Sequence, residues 1–288
     1  MKLKKLDNKD FSELVDLAIS EDIGSGDITT HAVNLPEETF MGIFTSREEG
    51  ILAGAEVAQF VLKKISPKSK IKFLLKDGDK LKRGTKIAMI KGPTSEVLLA
   101  ERIILNFLQR LSGIATITNQ YVKVVSDTHC KILDTRKTTP GWRKLEKYAV
   151  LCGGGNNHRM GLYDAIMIKD NHIASLGQTS STPIREAVTR ARSCTGKEKT
   201  IIVEVDTLHQ MAEALSISPD IILLDNMDLL TLKKAVQLRN KTMPKILLQA
   251  SGGVNLKTVQ KIAKTGVYRI SIGSLTHSVK ALDIGLDS

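Results

Sequence analysis

The chain has 288 residues, of which 42% are hydrophobic and 25% charged, a composition that suits one large or two modest folded domains. Its formal net charge of +11 is compatible with nucleic acid, an anionic membrane surface or small polyanionic substrates as partners. Aromatic residues make up only 4% of the chain and do not alternate with basic ones. Because single-stranded nucleic acids bind largely through stacked aromatic side chains, this composition argues against a nucleic-acid-binding module.

The cysteines and the apolar runs indicate the compartment. Cys130, Cys152 and Cys194 have no paired spacing, which favours a reducing environment over a disulfide framework. The opening segment MKLKKLDNKDF lacks the apolar stretch of a signal peptide, and no apolar run reaches the roughly 18 residues of a membrane-spanning helix. We therefore expect a cytoplasmic protein that does not bind membranes.

The first part of the chain mixes helix and strand patterns. Apolar residues at helical spacing predict a helix over residues 10–20, and MGIFTS (41–46) and KIKFLL (70–75) have the character of strands. The segment KDGDKLKRGTKIAMIKG (76–92) predicts a β-hairpin, because an Asp-Gly turn and a Gly turn flank two strand-like runs. Residues 100–126 predict one long amphipathic helix.

Beyond this helix, short apolar runs alternate with helical patterns. The strand-like runs are KILD, DAIMIK, TIIVEVD, DIILLD, KILLQA and YRISIG. Strands that alternate with helices predict βα units and a parallel sheet buried on both faces. We expect an α/β fold with an open or closed β/α barrel, and a doubly wound sheet is the alternative.

Polar residues or glycines follow most of these strand-like runs. In a β/α barrel the carboxyl ends of the strands form the active site, so these residues are expected to meet there. Cations suited to carboxylates and phosphates are Arg136, Lys137, Arg159 and Lys169. The glycine turns at 251–253 and 271–273 suit a terminal phosphate, because each leads toward a helix N-terminus.

Two acidic residues in the same set, Glu204 and Asp225, would repel phosphates unless a divalent cation intervened. Carboxylate and pyrophosphate oxygens are ligands that Mg²⁺ prefers, and the same acids could face a positive charge developing on a sugar ring. Taken singly, each group has an ordinary structural explanation, such as a solvated turn or an acid at a helix N-terminus. Their coincidence at one end of the sheet favours an enzyme that joins a sugar phosphate, or a phosphoribosyl group, to an anionic co-substrate.

The same residues lie in longer blocks that resemble the quinolinate phosphoribosyltransferase family over almost the whole chain. The blocks are EDIGSGDITT (21–30), ERIILNFLQRLSGIAT (101–116), DTRKTTPGWRKLEKYAV (134–150), GGGNNHRMGLYDAIMIKDNHI (153–173), IILLDNM (221–227), ASGGV (250–254) and ISIGSLTHSVKALDIGLD (270–287). One departure is Gln249, where the family commonly has Glu.

The resemblance implies a fold, a domain division and a reaction. The implied fold is an N-terminal α/β sandwich over residues 1–110 and an incomplete β/α barrel over 111–277, with 278–288 packing back on the sandwich. The implied reaction joins quinolinate to phosphoribosyl pyrophosphate with Mg²⁺, giving nicotinate mononucleotide, pyrophosphate and carbon dioxide for NAD biosynthesis. Such an enzyme belongs to the pentosyltransferases and is called a carboxylating nicotinate-nucleotide pyrophosphorylase.

The resemblance also implies roles for individual residues. Catalytic groups would be Lys137, Lys169, Glu204 and Asp225, of which Glu204 and Asp225 would also bind the metal, directly or through water. Quinolinate would contact Arg102, Thr135, Arg136, Lys137, His158, Arg159 and Lys169. Phosphoribosyl pyrophosphate would contact Lys169, Glu204, Asp225, Ser251, Gly252, Gly253, Ser271, Ile272, Gly273 and His277.

Arg102 is implied to reach the quinolinate pocket from the neighbouring subunit of a homodimer, or of a higher oligomer.

Two other functions remain open. Molybdenum-utilisation relatives share the barrel and part of the DTRKT block, although the intact HRMGLYDAIMIKDNHI block favours the NAD-pathway enzyme. A nucleic-acid-binding module would explain the charge, but no helix-turn-helix, zinc or RNA-binding signature is present.

Overall fold

The computed structural model describes residues 6–33, 38–196 and 198–288. The chain divides into two compact units. The first unit extends to Asn119 and includes Lys137–Gly155 and Ser274–Ser288, and the second comprises Gln120–Arg136 and Asn156–Gly273. The domain boundary between residues 110 and 111 stays a prediction.

The first unit is built on a four-stranded antiparallel sheet with a separate two-stranded pair. The strands are β1 (Thr39–Ser46), β2 (Gly50–Ile51), β3 (Lys70–Phe73), β4 (Lys80–Leu81), β5 (Lys86–Pro93) and β12 (Ile284–Asp287), in the orders β12-β1-β5-β3 and β2-β4. The helices are α1 (Ser12–Ile23), α2 (Ile28–Val33), α3 (Ala55–Ile65), α4 (Thr94–Val124), α5 (Arg143–Cys152) and α11 (Ser274–His277). The end of α4 belongs to the second unit.

Along the strands, successive side chains alternate between a buried face of the sheet and an exposed face. Phe44 and Ile90 are buried, whereas Met41 and Met89 on the same strands are exposed. The long helix predicted over 100–126 is confirmed as α4 and runs unbroken through Gly113. A Cβ at Gly113 would lie only 2.3 Å from the Lys280 carbonyl oxygen, so this glycine allows the C-terminal segment to approach the helix closely.

The hairpin predicted over residues 76–92 is wrong. β4 pairs with β2, with Gly50 opposite Leu81, and β5 pairs on its two sides with β1 and β3. The two predicted turns are present at residues 77–78 and 83–84, but both edges of β5 are occupied by β1 and β3. Local turn residues carry no information about such competing long-range partners.

The second unit is the predicted run of βα units. Its strands are β6 (Lys131–Leu133), β7 (Ile166–Ile168), β8 (Ile201–Val205), β9 (Ile221–Asp225), β10 (Leu247–Ser251) and β11 (Arg269–Ser271). Its helices are α6 (Asp170–Gly177), α7 (Pro183–Thr195), α8 (Leu208–Ile217), α9 (Leu229–Thr242) and α10 (Val259–Ala263). The paired strands are parallel and their order is β6-β11-β10-β9-β8-β7.

This strand order identifies an incomplete barrel. From β7 to β11 each strand lies beside the next one in sequence, and β6 then follows β11, as it would in a closed ring. A doubly wound sheet would instead reverse its order at a switch point. The ring lacks only the pairing between β6 and β7, where Leu133 forms an isolated parallel bridge with Asn156.

The interior of the barrel holds an apolar layer. Ile202, Ile221 and Leu223 are buried together, with Met167 and Leu247 packed against them. The alternate residues Ile222 and Leu224 are also fully buried, as expected for strands covered on both faces. Within the parts of the chain that the structure describes, no helix combines the length and apolar character needed to cross a membrane.

Candidate active site

The six parallel strands of the second unit end at one edge of the sheet, and the predicted ligand-binding residues of this unit lie there. In ring order these are Lys169 after β7, Glu204 on β8, Asp225 on β9, Ser251 on β10, Ser271 on β11, and Thr135 and Arg136 after β6. Cationic residues therefore flank the gap between β6 and β7, acidic residues follow on the next two strands, and serine–glycine turns complete the ring.

The gap between β6 and β7 is occupied by the segment that carries His158 and Arg159. The Asn156 N–H donates to the Ile132 carbonyl at 2.8 Å, which extends the ladder from β6. The His158 N–H then donates to Oδ1 of the buried Asp134 at 2.8 Å. Asp134 and the backbone of β6 thus hold this segment at the mouth of the barrel.

Arg159 is fixed by its neighbours and lies in a positive environment. Its N–H donates to His158 Nδ1 at 2.7 Å, and its Nη1 donates to the Ala165 carbonyl at 3.0 Å. Burial lowers the pKa of the Arg159 guanidinium, and the positive charge of Arg136 lowers it further. An arginine remains charged despite such a shift, so two neighbouring cations are available to an anion with more than one negative group.

Lys169 and Glu204 lie opposite each other on neighbouring strands. Lys169 Nζ is 3.8 Å from Glu204 Oε2, and the Glu204 side chain is 15% exposed. Burial raises the pKa of the Glu204 carboxyl above its ordinary value, and the charge of Asp225 adds to the rise, whereas Lys169 opposes it. The charge of Asp225 therefore disfavours ionised Glu204, and the ion pair with Lys169 favours it.

The turns after β9 and β10 are interlocked. Asn226 has a φ of 50° and its Nδ2 donates to Asp225 Oδ2 at 2.7 Å. The Asn226 N–H donates to the Ser251 carbonyl at 3.0 Å. A Cβ at Gly252 would lie 2.0 Å from Asn226 Oδ1, so only glycine fits beside this side chain.

The end of β11 completes this glycine-rich part of the ring. Ser271 is buried and its Oγ donates to the Ala250 carbonyl at 3.5 Å, and the Ile272 N–H donates to the Leu133 carbonyl at 2.9 Å. Gly252 and Gly253 both have positive φ, at 98° and 57°. Successive backbone groups in such conformations form concavities that bind phosphate.

Three predicted residues belong to the first unit and are described in their own surroundings. Arg102 is exposed on α4. Lys137 is exposed, and its carbonyl accepts a hydrogen bond from Thr276 Oγ1 at 2.6 Å. His277 is also exposed, with Nδ1 2.6 Å from Ser278 Oγ. Their part in the site stays a prediction.

Comparison with known proteins identifies the family. Residues 27–112 match the N-terminal domain, and residues 114–287 the C-terminal domain, of quinolinate phosphoribosyl transferase. The chain belongs to the quinolinate phosphoribosyltransferase family.

Relatives in this family match over nearly full length. A probable carboxylating nicotinate-nucleotide pyrophosphorylase of Bacillus subtilis (strain 168) is 44% identical, over 100% of this chain and 93% of the relative. A carboxylating nicotinate-nucleotide pyrophosphorylase of Mycobacterium leprae (strain TN) is 41% identical over 94% of both chains. The solved structure of the Francisella tularensis nicotinate-nucleotide pyrophosphorylase superposes with a TM-score of 0.92 at 39% identity, covering 100% of this chain and 99% of that one. The α/β fold expected from the sequence is thereby confirmed.

A divalent cation was expected at the acidic residues, and the donor set permits it. Among the described residues, no group of three or more His, Cys, Asp or Glu side chains could hold a metal by itself. Glu204 and Asp225 supply two carboxylates on adjacent strands, and their mutual repulsion would be relieved by a cation. Mg²⁺ commonly takes one or two carboxylates and completes its shell with substrate phosphates and water. The two acids therefore fit Mg²⁺ that arrives with a pyrophosphate substrate.

The interior of the barrel contains an unexpected polar pair below the site. Gln249 is fully buried, and neither its Nε2 nor its Oε1 has a hydrogen-bond partner. Its register neighbour on β11 is Arg269, whose Nε is also buried without a partner. Burial lowers the pKa of the Arg269 guanidinium. The interior thus places the unpaired amide of Gln249 beside the half-buried guanidinium of Arg269.

Sequence reasoning did not assign a role to three residues that shape the site: Asp134, His172 and Asn226. Each was visible as a polar residue at a strand end. What distinguishes them is a bond to the backbone or side chain of a neighbour that itself carries a predicted role. Strand-end position could have marked them as candidates, but only coordinates reveal such partners.

Proposed function

We propose that this protein transfers the phosphoribosyl group of phosphoribosyl pyrophosphate to quinolinate with decarboxylation, giving nicotinate mononucleotide, pyrophosphate and carbon dioxide in NAD biosynthesis. The observation that carries the proposal is the order of charges around the barrel mouth. Cations lie at the gap between β6 and β7, acids on β8 and β9, and serine–glycine turns on β10 and β11. This order matches a dicarboxylate, a ribose and a 5′-phosphate laid across the mouth.

Quinolinate is bound at the cationic side of the mouth. Its two carboxylates pair with Arg136 and Arg159, with Thr135 and His158 beside them. Arg136 follows β6, and Arg159 lies in the segment that fills the gap beside β6, which supports this assignment. Planar guanidinium groups bind carboxylates through two parallel hydrogen bonds, which also orients the pyridine ring.

The ribose lies over β8 and β9, where Glu204 and Asp225 face it. As the bond to pyrophosphate lengthens, positive charge develops on the ribose ring, and fixed carboxylates lower the energy of that state. Lys169, between the cationic and acidic sides, contacts both substrates and balances negative charge on the leaving pyrophosphate. The pyridine nitrogen then attacks C1 of the ribose as the bond to pyrophosphate breaks. The resulting pyridinium stabilises the electron pair left on the ring carbon when carbon dioxide leaves, and that carbon then takes up a proton from water.

The 5′-phosphate is held by the turns after β10 and β11. Backbone N–H groups of Ser251, Gly252 and Gly253 contact it from one side, and those of Ser271, Ile272 and Gly273 from the other. Mg²⁺ would be held by Glu204 and Asp225, directly or through water, and when bound it would supply charge neutralisation to the pyrophosphate. Lys137 and His277 are proposed to contact quinolinate and the phosphoribosyl group, respectively.

The decisive assay incubates the protein with quinolinate, phosphoribosyl pyrophosphate and Mg²⁺ and follows nicotinate mononucleotide. Nicotinate, which lacks one carboxylate, is the matched control substrate. Leaving one arginine of a buried pair unmatched costs about 2–5 kcal/mol, so we expect at least roughly thirtyfold discrimination against nicotinate. Comparable turnover of the two substrates would contradict the proposal.

We further propose a homodimer, or a higher oligomer, in which Arg102 completes the quinolinate site of the partner subunit. Arg102→Ala and Lys137→Ala chains would each be inactive alone. In a mixed dimer one site would carry both substitutions and the other neither, so random exchange should restore roughly a quarter of wild-type activity. A mixture that stays inactive after verified subunit exchange would refute the shared site.

Two alternatives are less well supported. The relatives that match over nearly the whole chain are named as phosphoribosyltransferases or pyrophosphorylases, which favours this activity over a molybdenum-utilisation role. A cytoplasmic location stays a proposal and is supported by three free cysteines. Among the relatives are mitochondrial forms from Nicotiana and a chloroplastic form from Arabidopsis. Binding of nucleic acid or membranes is not part of the proposed function.

A further inference from the structure

A histidine three residues after Lys169 is bonded to the backbone of that lysine. The Lys169 N–H donates to His172 Nδ1 at 3.0 Å, and the His172 N–H donates to the Lys169 carbonyl at 2.9 Å. Both backbone polar groups of Lys169 are therefore engaged by one residue. These bonds lie in the turn between β7, which ends at Ile168, and α6, which begins at Asp170.

The bond to the ring defines the chemical state of the imidazole. Nδ1 can accept a hydrogen bond only when it carries no proton, so the neutral ring of His172 is protonated on Nε2. The bond is one half of a capping box, the half in which the third residue of a helix reaches back to the backbone N–H that precedes the helix. The same chain uses glutamine in this role at α8, where Gln210 Oε1 accepts the Thr207 N–H at 3.2 Å.

The position of the Lys169 backbone decides where its ammonium lies. Lys169 Nζ is 3.8 Å from Glu204 Oε2, at the far end of a flexible side chain. A lysine side chain reaches about 6 Å, so a rotation of about 10° at its root moves the ammonium by about 1 Å. Misplacement of a catalytic group by about 1 Å can cost on the order of a hundredfold in rate.

We propose that His172 is a positioning residue for the phosphoribosyl transfer. Its neutral imidazole accepts the Lys169 N–H and thereby orients the Lys169 side chain toward Glu204 and the two substrates. His172 acts through Lys169 and does not contact substrate. This inference rests on the proposed function, because that function places Lys169 at both substrates.

Two substitutions at His172 distinguish the contribution of the hydrogen-bond acceptor from that of the ring. His172→Phe retains a flat ring of similar size but has no acceptor, whereas His172→Gln loses the ring and retains an acceptor that can reach back as Gln210 does. Because the Lys169 ammonium is then no longer held in place, we expect kcat/KM of His172→Phe to fall on the order of ten- to a hundredfold for a displacement of up to about 1 Å. For His172→Gln we expect kcat/KM to stay within about twofold of wild type. The matched controls are His209→Phe and His209→Gln, at an exposed histidine on α8, and neither should change kcat/KM.

A double-mutant cycle tests whether His172 acts through Lys169. Quinolinate affinity is measured by calorimetry for wild type, His172→Phe, Lys169→Ala and the double variant, so that slow turnover does not limit the comparison. Residues that act as one unit give non-additive effects. We expect His172→Phe to weaken binding in the wild-type background and to add nothing in the Lys169→Ala background.

Three outcomes would overturn the inference: wild-type kcat/KM in His172→Phe, equal losses in His172→Phe and His172→Gln, or additive losses in the double variant. Equal losses would mean that the ring itself is required, and additivity would mean that His172 acts independently of Lys169. Unfolding temperatures of all variants are compared, and assays run well below them. The proposed function is judged separately, from the formation of nicotinate mononucleotide by the wild-type protein.

Discussion

Substitution of Gly252 by alanine tests whether the turn after β10 binds the 5′-phosphate. Gly252 has a φ of 98°, and a Cβ there would lie 2.0 Å from Asn226 Oδ1 and 2.9 Å from the Asn226 nitrogen. The side chain of Asn226 could rotate away only by losing its bond to Asp225, in which Nδ2 is 2.7 Å from Oδ2. An alanine at this position therefore either displaces the turn after β10 or breaks the hydrogen bond between Asn226 and Asp225.

The cost can be worked out from these contacts. A non-glycine residue in this backbone region is strained by about 1–3 kcal/mol. A hydrogen bond to a charged group contributes about 1.5–3 kcal/mol. The strain lowers the stability of the fold, whereas the lost bond acts at the site, and its smaller figure corresponds to a loss of roughly twelvefold. We expect Gly252→Ala to lower kcat/KM for phosphoribosyl pyrophosphate by at least this factor.

The matched control is Gly266→Ala, elsewhere in the same unit. Gly266 has a φ of 96°, and its nearest contact for a Cβ is Val236 Cγ1 at 3.1 Å. It shares the backbone strain but lies away from the site, so its substitution should lower the unfolding temperature and leave kcat/KM unchanged. Steady-state kinetics and thermal unfolding of both variants provide the comparison. Wild-type kcat/KM in Gly252→Ala, or an equal loss in Gly266→Ala, would refute the reasoning.

Three further predictions follow from burial and charge. Because the pKa of Glu204 is raised above the ordinary 4.5, its ionised form destabilises the fold above that raised pKa. Glu204→Gln should therefore unfold at a higher temperature than wild type near pH 7, and a gain that persisted below the ordinary glutamate pKa would contradict this. Gln249→Met removes two unpaired buried polar atoms and should raise the free energy of unfolding by about 1–3 kcal/mol in denaturant titrations, whereas a loss would show that they have partners. Since the chain carries a net charge of +11 and both substrates are anions, kcat/KM should fall as salt increases, and a flat dependence would exclude electrostatic steering.

The spacing of apolar residues and the polar residues at strand ends were sufficient to predict much of the second unit. Apolar runs such as those that became β8 and β9 are short, buried on both faces and separated by helical patterns, so local composition alone predicts βα units. Parallel strands place their carboxyl ends at one edge, so the grouping of Glu204 with Asp225 also followed from the sequence. The family resemblance was equally available, because it lies in contiguous blocks of residues.

Other features were decided only by tertiary structure. The segment over 76–92 has the turn residues of a hairpin, yet β5 pairs with β1 and β3 and not with β4. Beside the gap between β6 and β7, Asn156 pairs with β6, although it has no strand pattern of its own. Which strand pairs with a given sheet edge depends on all the segments that could pair there. A short stretch of sequence around one strand carries no information about the other segments.

The detailed form of the site also required coordinates. The positive φ of Asn226, the bond from Lys169 to His172 and the burial of Gln249 each arise from contacts between side chains and backbone groups at particular distances. The sequence names the residue types at these positions but does not determine their conformations or hydrogen-bond partners. Those are selected by packing of the whole unit, because a buried polar group is stable only where the surrounding chain supplies a partner or balances its cost elsewhere.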